Sequence, residues 1–230
     1  QVQSVYHAVN QLIEHFPEAQ VRLVLTGSGA KLIAESLDVP YIQEVVANSV
    51  ALRERYDNIR TAIELGGQDA KMIFFARDAA DNSFIDEVAS ILKVPIEEFN
   101  DLAAQGTCVY DISGRCGVYA KTDIQPLLNQ GVSKQDLALS AFHAIAKQTI
   151  GGLAQGLDIE KPVVFEGGPL TFNPTLIRVF IERLNLSPEE AIIPDHPEIM
   201  IAYGAALSLD TMFAEDERKV SLPRILKLLQ

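Results

Sequence analysis

The chain has 230 residues and 25.2 kDa, with 19 Lys and Arg against 31 Asp and Glu, a formal net charge of −12 and a pI near 4.7. That balance excludes a general nucleic-acid binder or a binder of anionic membranes, both of which need a cationic face. With 48% hydrophobic and 22% charged residues the composition excludes a disordered chain, and no apolar run approaches the ~18 residues of a membrane span. Two cysteines argue against a disulfide framework and lead to the expectation of a cytoplasmic chain.

The chain opens at Gln1 without an initiator Met, as if cut from something longer, and runs straight into an amphipathic pattern. Val5, Ala8, Val9, Leu12, Ile13 and Phe16 recur at three and four, which predicts a helix ended by Pro17. Val21 to Leu25 reads as a buried strand stopped by Thr26-Gly27-Ser28-Gly29, and Pro40 to Val46 as strand or loop before a helix through Arg55. Thr61 to Leu65 runs into Gly66-Gly67, and Lys71 to Phe75 returns at once, the pattern of a β-hairpin. Helices are expected over 83–92, 95–104 and 122–129. Ser133 caps the longest helix, running to about Gly156, with Asp136 supporting its first turn. Lys161 to Phe165 reads as a strand stopped by Gly167-Gly168, followed by a helix to Leu184; a short strand at Ala191 to Ile193 precedes a small-residue helix from Glu198 to Phe213. Strands alternating with helices define an α/β class.

Three glycine turns each follow an apolar strand: 26–29, Gly66-Gly67 and Gly167-Gly168. Ligands of α/β sheets gather at the carboxyl ends of strands, where glycine lets backbone amides approach a phosphate. Any one such pair also serves simply to end a strand. None forms a Walker A loop or a Gly-x-Gly-x-x-Gly fingerprint. The hairpin tip is the richest of the three: Glu64 precedes Gly66-Gly67, and Gln68, Asp69 and Lys71 follow. Such a set suits a Mg–phosphate clamp, since Mg takes oxygen ligands.

Ile63-Glu64-Leu65-Gly66-Gly67-Gln68-Asp69-Ala70-Lys71 resembles the second phosphate loop of the ATP-dependent activators of 2-hydroxyacyl-CoA dehydratases and benzoyl-CoA reductases, members of the actin/hexokinase/Hsp70-type ATPase superfamily. Arg115-Cys116-Gly117-Val118-Tyr119-Ala120-Lys121-Thr122-Asp123 resembles the family's cysteine stretch. Phe165-Glu166-Gly167-Gly168-Pro169-Leu170 resembles its adenosine turn, and Ile201 to Leu207 its closing Gly-Ala-Ala helix. The variants are most similar to the long, activase-related members.

The resemblance implies an actin-like (ribonuclease H-like) ATPase fold with an incomplete first lobe and most of the second. The expected divisions are the end of lobe one at 1–57, lobe two at 58–197, a helix returning to the hinge at 198–213, and a tail at 214–230. It further implies an ATPase that drives an electron into a partner dehydratase or related iron–sulfur reductase. Family members are homodimers sharing one [4Fe–4S] cluster. Carried over by position, Glu64 and Gln68 organise Mg or the attacking water, Gly66 and Gly67 amides hold the ATP phosphates, and Asp69 and Lys71 complete that loop. Gly167 and Gly168 lie against adenosine and phosphates of ATP or ADP, and Cys116 is a cluster thiolate. Such phosphoryl chemistry is positioning and charge stabilisation.

The chain starts beyond the family's first phosphate loop, so these residues alone are expected to bind ATP weakly. Arg77 to Ser83, without a cysteine, stands where the family carries its other cysteine motif. Cys116 reads equally as a small buried hydrophobe, and Cys108 as incidental. A sugar or metabolite kinase of the same superfamily and a non-catalytic nucleotide-binding scaffold are the alternative functions. The phosphate reading requires the Gly66-Gly67 tip to face Gly167-Gly168.

Overall fold

The computed structural model describes residues 2–27, 29–66, 69–74, 80–81, 84–114, 117–154 and 156–228. In chain order the elements are α1 (Val2–His15), β1 (Gln20–Val21), α2 (Lys31–Leu37), α3 (Glu44–Arg55), β2 (Thr61–Leu65), β3 (Asp69–Phe74), β4 (Ala80–Asp81), α4 (Phe84–Leu92), α5 (Ile96–Ala104), α6 (Gly117–Asn129) and α7 (Lys134–Ala154). There follow β5 (Val163–Glu166), α8 (Gly168–Phe172), α9 (Pro174–Leu184), β6 (Ala191–Ile192), a 3-10 turn (Pro197–Ile199), α10 (Met200–Thr211), β7 (Val220–Ser221) and α11 (Leu222–Leu228). Contacts divide the chain into one unit of Gln1–Asp57 with Ile199–Gln230 and another of Asn58–Glu198.

In the first unit α3 and α10 pack at backbone distance. A Cβ on Gly204 of α10 would come within 2.6 Å of the Ala47 carbonyl carbon on α3, so only glycine allows this approach. Arg55 of α3 stacks over the Tyr203 ring, its guanidinium carbon 5.3 Å from the centroid. The run from Val21 to Leu25 is strand only at its start, where β1 pairs antiparallel with β7, and at Leu25, which bridges Tyr41. Arg22 in between donates to Asp210 Oδ1 at 2.7 Å and to the Leu209 and Phe213 carbonyls, satisfying the C-terminal end of α10. The stretch expected as a tail carries β7 and α11, whose Val220, Leu222 and Ile225 share a core with Val9, Leu37 and Val39.

In the second unit a five-stranded sheet runs in the order β4-β3-β2-β5-β6. The hairpin β2–β3 is antiparallel with Glu64 opposite Lys71, whereas β2–β5 and β5–β6 are parallel. Alternation along the strands sends Ile63, Leu65, Met72, Val163 and Phe165 into a core shared with α4, α5, α7 and α9, where Phe99 and Phe142 meet edge to face at 5.4 Å. The opposite face carries Ala62, Glu64, Lys71, Val164 and Glu166, all buried as well. The helix expected from Gly168 to Leu184 is two helices, because Pro174 lacks the amide and starts α9 afresh. The helix expected from Thr122 starts earlier, at Gly117.

Candidate functional site

Parallel pairing of β2 and β5 brings their carboxyl ends to one edge of the sheet, with Glu64 in register with Glu166. The chain leaves β2 through Gly66, which is half-buried, and leaves β5 through Gly167. Gly167 has φ +96°, and a Cβ there would fall 2.7 Å from the Leu65 carbonyl carbon and 3.0 Å from its nitrogen. Both the backbone angle and the close approach therefore demand glycine. The Gly167 amide donates to the Pro197 carbonyl at 2.9 Å, which fixes the turn. The Gly66 and Gly167 turns thus lie side by side. Gly67 and Gln68 fall outside the described residues, and Asp69 is described only as the first residue of β3.

Beneath this edge lies a row of charge. The Lys71 ammonium donates to Glu64 Oε2 at 3.1 Å, with 8% and 4% of the two side chains exposed. Glu166 is fully buried on the same face. Lys71 is committed to Glu64, and Glu64 is held rigid at the strand end. Removing one partner of such a pair strands a buried charge, which is strongly unfavourable. Sequence reasoning did not single out Glu166. Its signal was a carboxylate closing the apolar run Val163-Val164-Phe165 directly before a glycine pair.

On the other side of Leu65 a cavity of about 580 Å³ opens, lined by Leu65, Phe84, Ile145, Gly168, Pro169 and Phe172 among others. Its walls are mostly apolar, with Asp86, Glu97 and Asn173 as polar groups. This composition suits a flat, partly polar organic ligand. None of the wall residues contributed by α4 and α5 was singled out in the sequence, because each reads there as ordinary amphipathic helix. The turn at Gly27 belongs to the other unit; there Gly27 has φ +108° and its carbonyl accepts from the Tyr41 hydroxyl at 3.3 Å.

Residues 106–114 form an extended strap along α7, the segment that leads in sequence to Cys116. The amides of Thr107 and Cys108 donate to Asp136 Oδ1 at 2.8 and 2.9 Å, and the Tyr110 amide donates to Ser140 Oγ at 2.8 Å. Lys147 pairs with Asp111 at 3.0 Å, and the Ser113 amide donates to Asp123 Oδ2 at 2.9 Å. Gly106 and Gly114 press against the α7 backbone near Gln135 and Ala144. The Cys108 amide, followed by the Thr107 amide and the Ser133 hydroxyl, holds the Asp136 carboxyl below its ordinary value. The Asp136 amide in turn donates to Ser133 Oγ at 3.1 Å, the cap expected from the sequence. Cys108 is an exposed free cysteine, and Cys116 lies outside the described residues.

Among the described residues no group of three or more His, Cys, Asp or Glu forms a metal centre, and no helix is long and apolar enough to cross a membrane. The carboxylate oxygens of Glu64 and Glu166 at the strand ends are donors of the kind that a hard cation such as Mg takes, since Mg keeps much of its water shell and binds through few carboxylates.

No protein-family model matches the chain. It is 26% identical over 213 residues to the 2-hydroxyisocaproyl-CoA dehydratase activator of Clostridioides difficile, covering 87% of this chain and 76% of that protein. Among solved structures, component A of the Acidaminococcus fermentans (R)-2-hydroxyglutaryl-CoA dehydratase superposes with a TM-score of 0.69 at 26% identity, over 80% of this chain and 73% of the other. The Clostridium difficile 2-hydroxyisocaproyl-CoA dehydratase activator with bound ADPNP gives a TM-score of 0.74 at 22% identity, over 92% and 83%. The fold is that of the actin-like ATPases. Within that class the chain resembles the activators of 2-hydroxyacyl-CoA dehydratases in sequence as well as in fold.

Proposed function

We propose that this chain is an ATP-binding and ATP-hydrolysing activator module that couples ATP to low-potential electron transfer into a 2-hydroxyacyl-CoA dehydratase or a related acyl-CoA reductase. The observation that carries the nucleotide half is the packing of Gly167 on Leu65, which sets two glycine turns together at the carboxyl ends of adjacent parallel strands. The phosphates of ATP or ADP lie over the amides of Gly66, Gly67 and Gly167, and the nucleoside enters the cavity bordered by Gly168 and Pro169. Glu64, held by Lys71, and Gln68 organise Mg and the attacking water, with Asp69 completing the loop. Mg, when bound, supplies charge neutralisation of the phosphates. This chain's own residues orient the nucleotide and shield it from bulk solvent.

The electron-transfer half rests on the resemblance to the activators and on Cys116, which immediately precedes α6 in the sequence. In this reading Cys116 is a thiolate ligand of a [4Fe–4S] cluster shared in a cytoplasmic homodimer, and the partner is an iron–sulfur dehydratase. Two measurements test the proposal. Calorimetric titration with ADPNP in Mg buffer is expected to give binding that Gly67→Asp abolishes, because a carboxylate would occupy the phosphate position. Unchanged affinity in the variant removes that loop from the site. Iron content and visible absorbance after anaerobic purification, with and without ATP, test the cluster; a preparation free of iron and sulfide ends the electron-transfer reading.

A further inference from the structure

The strap at 106–114 and the helices α7 and α9 border a small groove of about 190 Å³, whose polar walls are Tyr110, Asp111, Ser140, His143, Lys147 and Arg183. Its described walls share no residue with the cavity beside Leu65. In a chain of formal charge −12 this groove is a positive spot, because the ion pairs around it leave one cation over. Lys147 is matched by Asp111 at 3.0 Å, and Arg178 by Glu182 at 3.9 Å. Among the described residues no hydrogen bond or ion pair engages Arg183. Its place in the last turn of α9 suits the helix dipole but leaves its planar fork of donors unused.

The half-buried His143 reports the same excess of positive charge. Burial holds its imidazole below the ordinary 6.5; Arg183 and Arg178 act in the same direction, and Glu182 opposes them. The ring is therefore uncharged at neutral pH, with one nitrogen left to donate. Lys147 is easily redirected, since it and Asp111 are 63% and 89% exposed and so open a pair is weak. Guanidinium, ammonium and imidazole donors around one space suit an oxyanion. The volume lies below the roughly 300 Å³ of a cleft for a drug-sized ligand, so it suits one phosphoryl group and not a whole nucleotide. A dianion exceeds the surplus of one positive charge and thereby favours a proton on His143, which gives the ring a second donor.

We propose that this groove binds a single phosphoryl group, as inorganic phosphate or a phosphate monoester, through Arg183, Lys147 and His143. Arg183 supplies the unmatched charge, Lys147 turns from Asp111 to the ligand, and His143 completes the set of donors. The assignment is independent of the nucleotide reading of the strand-end turns.

The test is a titration with inorganic phosphate near neutral pH, followed by NMR of the His143 ring, with chloride holding the ionic strength constant. The resonance, assigned by its loss in His143→Gln, is expected to shift saturably. Bound phosphate should raise the midpoint of the His143 titration by about one pH unit. Arg183→Gln should weaken phosphate at least about tenfold, and Lys147→Gln, at a second exposed position, should weaken it as well. Glycerol phosphate in the same titration separates the two sources: tighter binding assigns the monoester, and equal or weaker binding the free ion. Shifts that grow without saturating, an unmoved His143 midpoint, or an unchanged titration in Arg183→Gln each overturn the proposal.

Discussion

Gly167 lies so close to Leu65 that a single methyl group at its α-carbon would overlap the Leu65 peptide. The contact joins the ends of two parallel strands, and through them the two glycine turns on which the proposed phosphate site depends. It also makes the site sensitive to a change of one carbon atom.

Gly167→Ala is expected to lower the stability of the Asn58–Glu198 unit by at least about 2 kcal/mol, since the new side chain must adopt φ +96° and displace Leu65. Gly168→Ala is the matched control. Nothing lies within 4 Å of its added Cβ and its φ is ordinary, so denaturant unfolding should shift by less than about 0.5 kcal/mol. Because Gly168 borders the cavity, the same control should still weaken ADPNP binding. Equal unfolding costs for the two variants would contradict the close approach.

Lys71→Met leaves Glu64 buried without its ammonium and is expected to cost about 3–5 kcal/mol in chemical denaturation. Adding Glu64→Gln to that variant should recover most of the loss, because the stranded charge is gone. Simple additivity of the two single changes would show that the pair is not energetically coupled.

The strap residues provide a pH signature. The Asp136 carboxyl is held below its ordinary 3.8 by the Cys108 and Thr107 amides, so the stabilisation is full above 3.8 and disappears as pH falls through the lower folded-state value. The amide resonances of Thr107 and Cys108 should therefore titrate together with a midpoint below 3.8, and Asp136→Asn should remove that titration. A midpoint at or above 3.8 would mean that the strap is not anchored by this carboxylate.

Cys116→Ala is expected to reduce iron bound after anaerobic purification, while Cys108→Ala, at an exposed thiol whose amide is held by Asp136, should leave it unchanged. Loss of iron in the second variant but not the first would reassign the ligand.

Local pattern was enough to place most elements. Short apolar runs bounded by glycine define β2, β3 and β5, and apolar residues at three and four define α4 and α7. The actin-like fold was legible because four motifs occur in family order, and the superposed activator structures agree with it. Pro174 was present in the sequence as a break, yet the apolar periodicity on either side of it concealed that α8 and α9 are separate helices. The run from Val21 to Leu25 looked like a full strand because its other four residues are apolar and nothing local shows where Arg22 goes; its guanidinium belongs to the end of a helix 188 residues further along the chain at Asp210.

Chain order by itself determined which residues carry the chemistry: a glycine pair flanked by Glu64, Gln68, Asp69 and Lys71, a second pair after Phe165, and a cysteine before a helix. Only the folded sheet decided which of them meet. Strand pairing joins positions about a hundred residues apart, and no periodicity along the chain encodes it; thus Glu166 became a neighbour of Glu64, and Gly167 of Leu65. The same pairing turned Lys71 from one of the polar groups of a hairpin tip into the buried partner of Glu64, since side chains alternate between faces and the shared face here is closed to water.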